Sequence, residues 1–265
     1  MKYIYSKFSF SIFMFLLVLG CQKEMIEVED SKSFTISSSY TNEDYNLQLL
    51  YPENYDSSIA YQTIYLLDGD WYFYELAEII KEQYPNDIVL VGIGYKNDNN
   101  RSSDFTYPAD DILSNSGNAK KYIQFLNNEL IPFISDSLQI KAKQKTLAGH
   151  SLGGYFNLYL LFQDELENPF DNLITASPSL FWHDAYLLDL EQQYNSSHDS
   201  LNINLFITMG DSEGVTMNTL FDAFNEKIES RNYLGLTFDY ERFENTTHNN
   251  NPIKSFEKGI SKLIN

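Results

Sequence analysis

The chain has 265 residues, of which 43% are apolar and 15% aromatic, enough to bury one sizeable core. Its formal charge is −19, which argues against nucleic acid and anionic lipid as partners and leaves neutral or cationic ligands open; solubility of an exposed surface accounts for the charge equally well. Cys21 is the single cysteine, so an intramolecular disulfide is excluded.

Residues 1–20 carry Lys2 and Lys7 and no acid, with an apolar stretch from Phe8 to Leu19 broken only by Ser9 and Ser11. That is too short to span a bilayer, which takes roughly 20 apolar residues, and it matches the apolar region of a signal peptide. It ends in Val18-Leu19-Gly20-Cys21, which resembles a bacterial lipobox, in which the cysteine is acylated and becomes the new N-terminus. The expectation is a signal peptide over 1–20, a lipid on Cys21 and a membrane-anchored protein of the bacterial cell envelope; an ordinary signal peptide is the alternative. Cleavage would remove both lysines and take the charge from −19 to −21. Residues 21–33, acidic and polar, then read as a tether, and 34–265 as one domain.

Short β-rich runs follow. Phe34 to Leu50 offers an antiparallel pair around Thr41-Asn42-Glu43-Asp44. Thr63–Leu67, Ile88–Ile93, Lys145–Ala148, Leu173–Thr175, Leu205–Thr208 and Leu236–Phe243 are further strands. Helical periodicity marks Trp71–Lys81, Lys120–Ile134 with a kink at Pro132, Leu152–Phe162, Met217–Ile228 and Ile253–Ile264. Continuous apolar strands alternating with amphipathic helices predict an α/β fold: a mostly parallel sheet with helices on both faces, preceded by the antiparallel pair.

Gly149-His150-Ser151-Leu152-Gly153-Gly154 sits between a predicted strand and a predicted helix, the context in which G-x-S-x-G carries chemistry. A sharp turn would project the Ser151 hydroxyl from the sheet, with Gly149 and Gly153 leaving room for close passage. A serine needs a base. Of the four histidines, His150 adjoins the nucleophile and is expected to point elsewhere, His183 falls on an apparent loop, and His198 lies in a polar run. His248, after the last strand, is the candidate. The acid should follow the strand ending at Met209; Glu213, three residues past Gly210, is favoured, with Asp211 the alternative. The oxyanion donors should be the Leu152 amide and, after Asp68-Gly69, the Asp70 amide; a plain turn with an aspartate N-cap accounts for that segment too. Trp71, Tyr72, Phe73, Tyr74 and Trp182 are candidates for an aromatic pocket, although ordinary packing explains them as readily. No metal-ligand spacing or phosphate loop is present, so no metal or cofactor is expected.

These motifs resemble the esterase family of the α/β-hydrolases that includes siderophore (enterobactin and salmochelin) esterases, feruloyl and acetyl-xylan esterases and mycolyltransferases. The matching pieces are Tyr65-Leu66-Leu67-Asp68-Gly69, the Ser151 segment, Ser177-Pro178-Ser179-Leu180-Phe181-Trp182 and Thr247-His248, with a weaker match from Arg101 to Pro108. The siderophore-esterase branch looks nearest. Relatives often continue after the base with a small Gly-Ser pair; Asn249-Asn250-Asn251 stands here, which bears on the leaving-group side of the pocket. The resemblance implies a serine hydrolase cleaving a siderophore-type or glycan-linked ester through an acyl-serine, with Arg101 added to the pocket candidates. A non-catalytic ligand-binding lipoprotein on the same fold and an acyltransferase using the same residues are the alternatives. Oligomeric state has no signature in the sequence.

Overall fold

The computed structural model describes residues 28–111, 113, 115–163 and 168–264. The expected signal peptide, Cys21 and the tether as far as residue 27 lie outside the described residues. Eight strands among the described residues form one sheet: β1 (Ser31–Ser37), β2 (Asp44–Leu50), β3 (Ala60–Leu67), β4 (Ile88–Tyr95), β5 (Lys141–His150), β6 (Asn172–Ala176), β7 (Ser200–Gly210) and β8 (Leu234–Phe243), in spatial order β1-β2-β4-β3-β5-β6-β7-β8. The pairs β1–β2 and β2–β4 are antiparallel, and the rest are parallel.

The central strands are buried on both faces, as their apolar runs require. In β3, Ile64 and Leu66 join a core under α1 (Gly69–Gln83) and α7 (Pro252–Leu263), with Phe73, Leu76, Phe256 and Ile260. Tyr65 and Leu67 face a larger core beneath α3 (Ala119–Phe125), α4 (Leu152–Leu161), α5 (Trp182–Asn195) and α6 (Val215–Arg231).

Three elements depart from the sequence reading. Strand β1 begins at Ser31, so the last residues of the expected 21–33 tether belong to the sheet; Ser31 pairs with Leu50, and backbone pairing needs no apolar side chain. The helix expected over Lys120–Ile134 is α-helical to Phe125 and continues as π-turns at Leu126–Leu130 and Phe133–Ser137 on either side of Ile131 and Pro132, the latter with no amide hydrogen to donate. The segment around His183, expected as loop, leads into α5; His183, Asp184 and Ala185 have positive φ, and the regular turns follow them. The buried stripe of α5 includes Glu191, paired with Arg231 and Lys227, and that charge interrupts the apolar pattern.

Parallel pairing brings the C-terminal ends of β3, β5, β6 and β7 to one edge of the sheet, the usual location of chemistry in open α/β sheets. Beside that edge lies a short helix, α2 (Arg101–Asp104). Its Asp104 is buried, and Oδ2 accepts hydrogen bonds from the Tyr45 hydroxyl at 2.7 Å and the Tyr95 hydroxyl at 2.9 Å. Burial raises the Asp104 pKa to about 6, against the lowering pull of the two tyrosines. A carboxyl raised on folding stabilises the fold at low pH, and the contribution is lost as pH climbs through 6. Denaturant titrations of Asp104→Asn and the parent should therefore diverge in the variant's favour by about 3 kcal/mol between pH 4 and pH 8. A stability difference that stays constant over that range would contradict the assignment.

Candidate active site

Ser151 follows β5 and caps α4 with φ 59 and ψ −114, a backbone conformation that L-residues rarely adopt. Its surroundings hold it there. The Ser151 amide donates to the Ala176 carbonyl at 3.0 Å, and the Ser151 carbonyl accepts from the amides of Tyr155 at 2.8 Å and Ser179 at 3.1 Å. A Cβ at Gly149 would stand 2.5 Å from the Gly153 carbonyl oxygen, and one at Gly154 would stand 2.9 Å from that of Ala176. At Gly153 a Cβ would meet only ordinary 3.5 Å contacts, so the space expected there is needed at Gly154 instead.

The loop after β8 delivers His248 to this turn. Its Nε2 lies 3.0 Å from Ser151 Oγ, and its Nδ1 lies 2.7 Å from Glu213 Oε2. The Glu213 side chain is fully enclosed. Burial by itself would raise its pKa, but hydrogen bonds from His248, Ser177 and the Gly210 amide outweigh that and hold it below the usual carboxylate value. An ionised carboxylate only accepts, so Nδ1 carries the imidazole proton and Nε2 accepts from the serine. Asp211, the alternative acid, has an exposed side chain that accepts from the Ser212 hydroxyl and the Thr246 amide and makes no bond to His248. Of the two candidate acids, the fold brings Glu213 and not Asp211 to His248.

Beneath the acid lies a polar chain that the sequence did not disclose. Glu213 Oε1 accepts from the Gly210 amide at 2.7 Å, the Ser177 hydroxyl at 2.5 Å and Asn251 Nδ2 at 3.3 Å. Asn251 also donates to the Ser177 hydroxyl and accepts from Ser255 Oγ at 2.7 Å, which lies 2.6 Å from Thr208 Oγ1. The third asparagine after His248 thus buttresses Glu213, a role that the departure from the relatives' Gly-Ser pair did not indicate. Ser179, from the same Ser-Pro-Ser segment as Ser177, sits with Oγ 3.2 Å from Ser151 Oγ. Both serines belong to a motif already conspicuous in the sequence, but nothing there assigned them a role.

Leu152 opens α4, and Asp70 lies in the first turn of α1, one residue past Gly69. The Asp70 carboxylate turns aside and accepts from the Tyr95 amide at 2.8 Å, which is compatible with a role for its backbone alone. The loop itself is fixed by Asp68, buried and left-handed at φ 53, which Arg101 grips through Nε and Nη2 at 2.9 Å each. Arg101 Nη2 also reaches the His150 carbonyl at 3.2 Å. Arg101, expected to line the substrate pocket, is therefore an internal tie between three loops. Truncating it to alanine leaves a buried carboxylate uncompensated and should lower stability by about 3–5 kcal/mol in denaturant titration; a loss below about 1 kcal/mol, the level of a surface pair, would refute this role.

The aromatic candidates divide. Trp71 is 41% exposed, with one face against the Arg101 guanidinium at 5.0 Å. Tyr72 is half-buried and its hydroxyl meets His150 Nδ1. Phe73 is a core residue, and Tyr74 is exposed. Trp182, expected in the pocket, is instead buried and donates its indole N–H to the Pro108 carbonyl at 3.0 Å. Two residues passed over in the sequence, Phe181 and Val215, are 53% and 84% exposed just beyond Ser179 and Glu213.

A mostly parallel sheet with helices on both faces, carrying a serine, a histidine and an acid in hydrogen-bonded sequence on the loops at its C-terminal edge, defines an α/β-hydrolase. The family model described as "Putative esterase" matches residues 38–252, and the chain belongs to that family. Over 230 residues it is 29% identical to the ferri-bacillibactin esterase BesA of Bacillus subtilis (strain 168), spanning 75% of this chain and 79% of the relative. The crystal structure of BES protein from Bacillus cereus superposes with a TM-score of 0.76 at 26% identity, covering 90% of this chain and 96% of that one. An IroE-like serine hydrolase from Shewanella oneidensis shares the fold, with a TM-score of 0.76 at 24% identity over 88% of this chain and 79% of that one. The protein is a carboxylic ester hydrolase.

Proposed function

We propose that the protein hydrolyses a siderophore-type ester, with Ser151, His248 and Glu213 as its catalytic residues. The observation that carries this is the unbroken series of contacts from Ser151 through His248 to Glu213, at 3.0 and 2.7 Å. Ser151 Oγ attacks the ester carbonyl as its proton passes to His248 Nε2, and Glu213 stabilises the imidazolium through Nδ1. The amides of Leu152 and Asp70 receive the oxyanion. Collapse expels the alcohol, which takes the proton from His248 and leaves an acyl-serine. Water, deprotonated by the same imidazole, then releases the acid and restores the hydroxyl.

The substrate class rests on two supports. One is the kinship to BesA, whose name states a ferri-bacillibactin esterase. The other is a set of apolar side chains along the edge that carries Ser151: Trp71, Phe181 and Val215 stand exposed just after the ends of β3, β6 and β7, suiting an ester that carries large aromatic groups. The test is product analysis by mass spectrometry after incubation with a catecholate triester siderophore, alone and iron-loaded, beside feruloylated and acetylated oligosaccharides. Preferential opening of the siderophore ester is the expected result. Faster release of ferulate or acetate would assign the enzyme to glycan esters. We further propose that Cys21 is acylated and holds the enzyme at the cell envelope; incorporation of labelled palmitate, abolished by Cys21→Ser, tests this.

A further inference from the structure

Ser151 is preceded by a histidine that the catalytic series does not use. The sequence suggested that His150 points away from the site, and the structure overturns this. The His150 side chain is buried, 5% exposed, and its ring lies against that of His248 with centroids 4.5 Å apart at an interplanar angle of 42°. On its other side the Tyr72 hydroxyl lies 2.9 Å from Nδ1, with the two rings edge to face at 89°. Tyr72 itself comes from α1, just beyond the Asp68–Asp70 turn, and packs on Phe256 of α7. His150 thus links the oxyanion loop, the nucleophile turn and the base.

We infer that His150 is a positioning residue, an uncharged imidazole wedged between Tyr72 and His248 that sets the ring of the base at proton-transfer distance from Ser151. This rests on the reading of His248 as the base.

The chemistry of the surroundings supports a neutral ring. Burial drives the His150 pKa down to about 3, and the positive ends of His248 and Arg101 push the same way, against the opposing pull of Glu213 and the His248 main chain. Burial likewise raises the Tyr72 phenol, so a neutral phenol and a neutral imidazole share one hydrogen bond at Nδ1, with the donor set by the tautomer of His150. Nε2 is shut off from solvent beside the base and makes no well-formed hydrogen bond among the described residues. The groups facing the ring are therefore Tyr72 from α1, Asp68 and Arg101 behind the turn, and His248 with Glu213 in front. A base that becomes cationic in each half-reaction needs a neighbour that stays uncharged, since a second imidazolium at 4.5 Å would oppose it. It also needs a fixed ring plane, because misplacement by about 1 Å forfeits much of the gain from positioning.

The discriminating experiment compares His150→Phe and His150→Asn in steady-state hydrolysis of p-nitrophenyl acetate, with folding checked by thermal melts. Phenylalanine fills the space and keeps an aromatic face but cannot accept from Tyr72. Asparagine loses ring volume but places an amide oxygen near the position of Nδ1. The expected result for His150→Phe is a drop in kcat of about tenfold or more with KM within about twofold, and for His150→Asn recovery of several-fold of that loss. A ring that merely packs would give the reverse order, so a phenylalanine variant as active as the asparagine variant, or both matching the parent, would overturn the inference. Should neither fold, Tyr72→Phe removes the hydroxyl alone: a several-fold lower kcat at an unaltered melting temperature supports the inference, and a parental kcat overturns it. A parent protein without esterase activity would remove the reading of His248 as base and this inference together; parental kcat in active variants removes this inference alone.

Discussion

Replacing Ser151 with alanine should lower kcat by about a million-fold, on the scale seen when a hydrolase loses its nucleophile. The reason is chemical: the covalent route closes altogether, and no neighbouring hydroxyl inherits it. Ser179 Oγ is 3.2 Å from Ser151 Oγ but has no contact with His248 to activate it. What survives, roughly a thousand-fold over water, reflects binding and oxyanion stabilisation alone. Stability should change little, because alanine occupies the same strained conformation at φ 59 as serine. The measurement is hydrolysis of a short p-nitrophenyl ester together with labelling by a fluorophosphonate. Equal rates, or equal labelling, in the two proteins would end the case for Ser151 as nucleophile.

Glu213→Gln should lower kcat by about ten-thousand-fold while leaving the fold intact. The structure gives a specific cause. Oε1 takes donors from Gly210, Ser177 and Asn251, so a glutamine must keep its oxygen there. Its NH2 group then faces His248 Nδ1, which has to accept rather than donate. The imidazole proton moves to Nε2, and that nitrogen can no longer take the proton of Ser151. Rapid kinetics on the variant should show acylation and deacylation both slowed, because the same nitrogen takes the proton of the attacking water. Asp211→Asn, by contrast, alters an exposed side chain and should leave kcat within about twofold. A large loss at Asp211 with little at Glu213 would reverse the assignment of the acid.

The parts of this enzyme that were legible in its sequence share a physical origin. The strands buried on both faces announce themselves as apolar runs, so β3 to β7 and their parallel direction could be expected, and the glycine-flanked Ser151 turn lies between one such strand and a helix. His248 and Glu213 were accessible because the chain order of the fold restricts where a base and an acid can stand. Polar burial was the blind spot. Glu191 inside the stripe of α5, Asn251 under Glu213, Ser177 beside it and Arg101 on Asp68 are all enclosed or half-enclosed polar groups that each have a partner 33 to 74 residues away in sequence. A hydropathy pattern reads such residues as surface. Arg101 and Trp182 were misplaced into the pocket for the same reason: each has a polar group whose partner, the Asp68 carboxylate or the Pro108 carbonyl, is set by tertiary contact alone. Strand β1 escaped full recognition for the converse reason, since ladder bonds hold polar and apolar residues equally well.

The sense in which β1 enters the sheet has a bearing on orientation. Ser31 pairs with Leu50, which pairs in turn with Leu90 near the start of β4, level with Thr146 of β5, so the chain arrives at the floor of the domain, about 17 Å below the rim where Ser151 stands. Whatever restrains the polypeptide upstream of Ser31, be it an acyl chain, a linker or a purification tag, pulls on the end remote from the chemistry. The catalytic mouth then looks outward into the aqueous space. Immobilising the enzyme through its N-terminus on a solid support should leave turnover of a bulky ester unimpeded, while attachment near Phe181 or Val215 would obstruct its approach.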